Sequence, residues 1–482
     1  MARVHWVDWL VVAILLALVL GIGVLSTVIV QRRTRERHGA DAFFLASRAT
    51  TWWVVGASIF ASNIGTENFI GQSGGAAASG MAIGLYEWTA SYLLVLLGWF
   101  FAPVYLGCLL TTIPEYAELR FNPACRVVLV TVSLISYIIT KLAGALFSST
   151  VVLKVVFGWS MWESVPIILV LAGLYEIGGG LLADMLTDTV QMMVFTAGGL
   201  VGLGISLSRV GGMSSIRHIM VDVASKPYFT HSLRSPEDKA YPWPGMFIGQ
   251  MISSTWYWCV DQELTQRVLA SKGINTARTG CLLAGFLKII PVFVIVIPGM
   301  AARALHEACL AVQDGRATAE EVPFREEWCD VRLDEGSESN KAYPELVLRE
   351  FPRGLVGLMI ASFLMAVLSS LDSVFNSAAT MWTHDVHRRF INPRATQLQL
   401  VRMGRLVTAV IVGLGVAWMP VIEGQQRQLY QVTQSAQTHV APSLATVMII
   451  GFIWKRANGC GGLAGMLVGT VLGLVRLGLS FS

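Results

Sequence analysis

Between residues 60 and 80 the chain reads FASNIGTENFIGQSGGAAASG, a run apolar enough for a membrane helix that nevertheless carries Asn63, Thr66, Glu67 and Asn68 among five glycines. In hydrocarbon every backbone N–H and C=O must be paired, so irregular backbone at membrane depth survives only where protein or a watery cavity surrounds it. A break of this kind can serve a purpose: freed carbonyls coordinate a cation while the half-helix ends face a solute. Close packing of small residues accounts for Gly74, Gly75 and Gly80. It does not account for four polar side chains within six residues.

Five ionisable residues lie within other apolar runs: Glu87, Asp184, Asp188, Lys288 and Asp372. Burying each costs a few kcal/mol, which makes them functional candidates; the plainer reading pairs them inside the bundle, Lys288 with a carboxylate. Ser369, Ser370, Asp372 and Ser373 stand at i, i+1, i+3 and i+4, so their oxygens share one helix face. Hard, small cations want such ligands, although serines at this spacing also pack helices and bond back to carbonyls. A second segment must complete the shell before a cation becomes the better reading. In STWYWCVDQ, residues 254–262, Tyr257 and Trp258 fall well inside an apolar run. That depth favours a ring platform for a solute, with polar groups at its rim, over an interfacial aromatic belt.

These residues need a scaffold, and composition says which. The 482 residues are 54% apolar and only 14% charged, with a mean hydropathy of +0.61, a profile of an all-α polytopic membrane protein. A span needs about 20 mainly apolar residues. Twelve candidates occur near 8–30, 50–77, 79–107, 126–157, 161–178, 185–208, 244–265, 279–303, 354–382, 402–420, 428–453 and 460–480. The first is too long for a signal peptide and no small-residue cleavage site follows it, so it reads as a retained anchor. Arg32, Arg33, Arg35 and Arg37 come directly after it, which puts that end in the cytoplasm and the N-terminus outside. Alternation from there places Arg267, Lys272 and Arg278, then Arg388, Arg389, Arg394, Arg402 and Arg405, and finally Lys455 and Arg456 inside. The loop 304–350, with twelve Asp/Glu against five Lys/Arg, falls outside. Inner-leaflet lipid accounts for the net charge of +4 without any nucleic acid.

Among the seven cysteines only Cys309 and Cys329 share an external loop, a pair able to form a disulfide in an oxidising compartment. Soluble-enzyme motifs are missing: there is no P-loop, no G-x-G-x-x-G and no H-E-x-x-H. His384 and His387 sit beside arginines at a helix end and read as a solvated face.

FASNIG followed by FIGQSG, YEWTA, TTIPEY, TDTVQ, PWPG, WYWCVDQELTQR, FLKIIP, SSLDSVFNSAAT and FIWKRAN resembles the sodium/glucose cotransporter branch of the solute:sodium symporters, in order from about residue 42 to 476. The resemblance implies a LeuT-type inverted repeat of 5+5 helices with an extra N-terminal helix and one C-terminal helix. The parts would be an N-terminal anchor and basic loop (1–48), a first repeat (49–208), an extracellular loop (209–243), a second repeat (244–453) and an additional helix (454–482). It implies sodium-coupled transport of a sugar or polyol in the plasma membrane, with Na+ as coupling ion, no other cofactor, no enzymatic activity and a small accessory membrane subunit as a candidate partner. A sugar-gated sensor or cation leak is the alternative. Animal members continue beyond the equivalent of residue 482, while the ten-helix core falls within this chain.

By motif, Asn63, Glu87, Lys288 and Gln434 would hydrogen-bond sugar hydroxyls, Tyr257 would stack on the ring as the inner gate, and Trp258 would line the pocket. Ala61, Ile64, Ala366, Ser369 and Ser370 match the sodium site, which supplies the second half of the serine shell. Asp188 matches the acidic residue of a second sodium in two-sodium members. With Asp372 in place of the usual Thr and Ser373 beside it, that site is expected either to hold its cation more tightly or to take a proton. Other departures fall in the pocket: Asn68 for His, Glu67 for Gly, Tyr86 for Phe, and Gln437 for Thr or Ser. Glucose, myo-inositol, mannose, fructose and other polyols all remain open.

Overall fold

Apolar runs long enough to cross hydrocarbon close their own backbone hydrogen bonds as helices, and the computed structural model, which describes residues 4–33, 39–333, 336–423 and 429–481, is built of them. Eight helices among the described residues are long and apolar enough to cross a membrane. The first, α1 (Trp6–Arg33), docks through Asp8, whose carboxylate accepts from Gly354 N–H at 2.6 Å and Gly357 N–H at 2.9 Å.

The next expected span, 50–77, is two pieces: α2 (Trp52–Asn63), a break at Ile64 and Gly65, and α3 (residues 66–79), which begins with a π-helical stretch over Asn68–Gln72. There follow α4 (Met81–Gly107), α5 (Pro123–Phe157) and α6 (Met161–Val210). The expected spans 161–178 and 185–208 are joined in α6 by a bend at Gly180, φ +58°, where a Cβ would run into the Phe43 carbonyl. Only glycine allows both the backbone angle and the approach.

The second half opens with another broken helix. The expected span 244–265 divides into α7 (residues 245–260) and α8 (Gln262–Leu269), separated by Asp261 in extended conformation at φ −66°, ψ 134°. Then come α9 (Ile274–Gln313), α10 (Leu355–Ile391), α11 (Gln397–Glu423), α12 (Leu429–Ile453) and α13 (Gly459–Phe481). Helix α10 packs on α6, α1 and α2 at the centre of the bundle. Ten core helices, one before and one after, form the LeuT-type architecture, each half beginning with a broken helix.

Three expectations need amending or completing. The segment 304–350 is not a plain loop: α9 runs on to Gln313 and residues Ala342–Glu350 form a further helix, because protein covers these turns, with Lys226 reaching Glu307 at 2.9 Å and Trp328 buried beneath. Cys309 and Cys329 are joined in a disulfide, Cα–Cα 5.4 Å. His384 is buried, edge-on to Phe44 at 4.9 Å, so it does not belong to a solvated face.

Candidate functional site

Breaking α2 from α3 leaves Asn63 at the end of one piece and Asn68 at the start of the other, where the Asn68 amide donates to the Asn63 carbonyl. Gln72, one turn on, donates to Asn68 Oδ1 at 2.9 Å and to Glu87 Oε1 at 2.5 Å. Lys288, at the end of the first part of α9, reaches Glu87 Oε2 at 2.6 Å and also donates to Asn63 Oδ1. The Asn63 amide donates to the Tyr257 hydroxyl at 2.9 Å, and Trp258 lies 5.1 Å from the Lys288 ammonium. Asn63, Asn68, Glu87, Tyr257, Trp258 and Lys288 therefore form one connected polar group, as their types and depth implied. The ring of Tyr257 also faces the cavity that Asn63, Glu67, Asn68, Tyr86, Glu87, Trp258, Ser370 and Gln437 line. The Gln434 side chain lies outside the described residues.

On one wall of this cavity the broken backbone meets α10. Ala61, Ile64, Ala366, Ser369 and Ser370 are all buried, and Thr66 ties the resumed helix to α10 by donating to the Phe363 carbonyl at 2.9 Å. A Cβ on Gly65 would collide with both Glu67 carboxylate oxygens and with the Ser370 hydroxyl. Glycine at the break thus lets these three oxygens close on its backbone.

One residue along α10, at Ser369, Asp188 binds α2 and α10 together. Its carboxylate accepts from Ser58 at 2.6 Å, from Ser62 at 3.2 Å and from Ser369. The guanidinium of Arg267 stands beside it at 3.8 Å and touches Asp184 at 2.7 Å and Ser373 at 2.5 Å. A permanent cation therefore occupies the flank of Asp188 and Ser373; Asp372 is buried on the same helix.

The second break is closed by side chains. Asp261 caps α8, its carboxylate accepting the Glu263 N–H at 3.3 Å, while Lys141 pairs with both Asp261 and Glu263. Lys141 also sits 4.8 Å from the Tyr257 ring. At the arginine-rich end, Arg126 joins Glu118 at 2.7 Å to Asp385 at 2.5 Å, and Arg389 reaches Glu118 at 2.5 Å. Burial pushes the Glu118 carboxyl up, but hydrogen bonds from Arg126 and Arg389 outweigh it and hold the group below its ordinary range.

Sequence reasoning missed Gln72, Lys141, Glu263 and Arg267. The test that found Lys288 applies equally to Lys141, a lysine inside the apolar run 126–157. Gln72 was signalled by its place four residues after Asn68.

The chain matches the sodium:solute symporter family over residues 43–469. It is 37% identical over 495 residues to rat sodium/glucose cotransporter 2, covering 98% of this chain and 71% of that protein. It is 38% identical over 479 residues to human sodium/myo-inositol cotransporter, covering 93% and 64%. Among solved structures, a Na+-coupled sialic acid symporter in a substrate-bound outward-open state superposes with a TM-score of 0.78 at 20% identity, over 98% of both chains.

Proposed function

The chain belongs to the sodium:solute symporter family, and on that premise we propose that it carries a glucose-like hexose or myo-inositol with sodium by alternating access. The observation that supports this best is adjacency: Glu67 and Ser370, whose oxygens gather on Gly65 at the α2–α3 break, also line the polar cavity. Sodium would be held by the carbonyls of Ala61, Ile64 and Ala366 with the hydroxyls of Ser369 and Ser370. Sugar hydroxyls would bond Asn63, Asn68, Glu87, Lys288, Gln434 and Gln437, with Tyr257 and Trp258 against the ring. The Ser370 hydroxyl, buried and close to the break, suits the ion.

Sodium can bias the carrier only by binding its states unequally. Carbonyls of a broken helix facing hydroxyls of α10 do so, since any shift between the two elements opens the shell. A tenfold sodium gradient supplies about 1.4 kcal/mol, and about 60 mV adds a similar amount per charge. One ion then supports on the order of 100-fold accumulation. We read one sodium per cycle, because Arg267 already brings positive charge to Asp184, Asp188 and Ser373; a second cation with Asp372 would have to displace it. The location would be the plasma membrane, N-terminus outside, and the exposed apolar faces of α1 and α13 would meet lipid or a small accessory subunit. The protein would have no enzymatic activity.

Uptake of labelled glucose and myo-inositol into proteoliposomes, with and without a sodium gradient, tests this reading. Sodium-driven accumulation that Ser370→Ala abolishes is expected. Sugar-dependent current without accumulation would instead make the protein a sensor or leak.

A further inference from the structure

Three carboxylates line the cavity: Glu67, Glu87 and Glu263. Glu87 has Lys288 and Glu263 has Lys141. Glu67 has no ion pair among the described residues, and its Oε2 is buried. A carboxylate drawn away from water is costly without positive charge close by; the Lys141 ammonium acts on Glu67 but is paired with Asp261 and Glu263, which leaves Glu67 without a direct cationic partner among the described residues.

Glu67 lies beside the proposed sodium ligands. Both of its carboxylate oxygens and the Ser370 hydroxyl close on the bare α-carbon of Gly65, filling the space one methyl group would take. Ser370 is only 4% exposed, and beyond Glu67 its hydroxyl meets no other hydrogen-bond partner among the described residues. Gly65 immediately follows Ile64, whose carbonyl is a proposed sodium ligand, and Ser369 adjoins Ser370. Hard cations bind carboxylate, carbonyl and hydroxyl oxygens together.

The geometry points to Glu67 as an additional, charged ligand of the coupling sodium, completing with Ser370 a shell whose other proposed donors are all neutral. This rests on the sodium site proposed above. A carboxylate in the shell raises affinity for the ion, so the carrier holds sodium at concentrations that neutral donors would leave half empty.

The test is sodium binding to the purified full-length chain without sugar, read as bound radiolabelled sodium and as the sodium-dependent rise in melting temperature. Glu67→Gln keeps the shape and removes the charge, and Glu67→Gly removes the side chain altogether. Both should raise half-saturating sodium at least about tenfold, equivalent to about 1.4 kcal/mol, with the sodium-free melting temperature unchanged or higher. If Ser370→Ala weakens sodium but Glu67→Gln leaves half-saturation within about twofold of the parent, the added ligand is refuted and the proposed site stands. If Ser370→Ala itself changes nothing, the proposed site falls and the inference with it. Should Glu67→Gln alter glucose or myo-inositol binding at saturating sodium while sodium binding stays the same, Glu67 is a sugar contact and the inference is overturned. Should Glu67→Gln fail to fold, Glu67→Gly decides by the same measurements.

Discussion

The two broken helices sit at corresponding places, each opening its half of the core, and they are finished in opposite ways. At Asp261 the break is closed from within: a carboxylate caps the new helix, the Tyr137 hydroxyl accepts the Glu263 N–H at 3.0 Å, and Lys141 pairs with both acids. At Ile64 and Gly65 the Glu67 carboxylate and the Ser370 hydroxyl close on the glycine, and Glu67 has no ion pair among the described residues. One interruption is closed by its own side chains, and the other is where sodium is proposed to bind. On that reading the same backbone device yields a fixed joint or a binding site according to whether neighbouring side chains pair with the opposite charge.

The contrast is breakable, most forcefully at the closed joint. Lys141→Met leaves two buried acids unpaired and should cost about 3–5 kcal/mol, seen as a fall in melting temperature of similar size with and without sodium; a sodium-dependent loss would mean that this joint is not self-contained. Gly65→Ala drives a methyl group into the Glu67 carboxylate and the Ser370 hydroxyl, so both side chains must turn away from the break. Half-saturating sodium should rise on the order of 100-fold, about 2.7 kcal/mol, with a smaller effect on sodium-free melting, and an unaltered sodium response would remove these oxygens from the ion site. Gln72→Leu deprives Asn68 and Glu87 of a donor on the sugar side; sugar affinity at saturating sodium should drop about tenfold, and an equal loss of sodium affinity would show that the two parts of the cavity are not separable. The smallest effect is expected far from both breaks, at Glu118. Its carboxyl is depressed in the folded state, so the stability it adds is present above the unfolded carboxylate value and is lost as pH falls through the depressed folded one. Glu118→Gln should remove that acid-side dependence and cost at most about 1 kcal/mol, measured by melting between neutral and acidic pH.

The open break was legible because it is written in residue types that a span avoids: glycine beside Asn63, Thr66, Glu67 and Asn68. The closed break was not. WYWCVDQ contains no glycine, and the interruption comes from Asp261 turning away to cap the following helix, a choice settled by Lys141 some 120 residues earlier. Periodicity cannot register a partner at that distance. Arg267 escaped for a related reason, since a charge near a basic loop reads as a cytoplasmic flank until Asp184 is seen opposite it. The helices themselves followed from apolar length, but where protein rather than lipid covered a segment, as in the outer turns of α9, hydropathy set the boundary too early.

Four buried ion pairs, Glu87 with Lys288, Lys141 with Asp261 and with Glu263, and Arg267 with Asp184, share a feature beyond their chemistry: each joins the first five core helices to the last five. During synthesis the earlier half enters the bilayer with Glu87, Lys141 and Asp184 still lacking these partners, at about 2.5–3.5 kcal/mol for a centrally placed lysine or aspartate. The halves look like duplicates, yet each buries charges that the other pairs. The growing chain is a loan of buried charge from one half, repaid only when the other arrives.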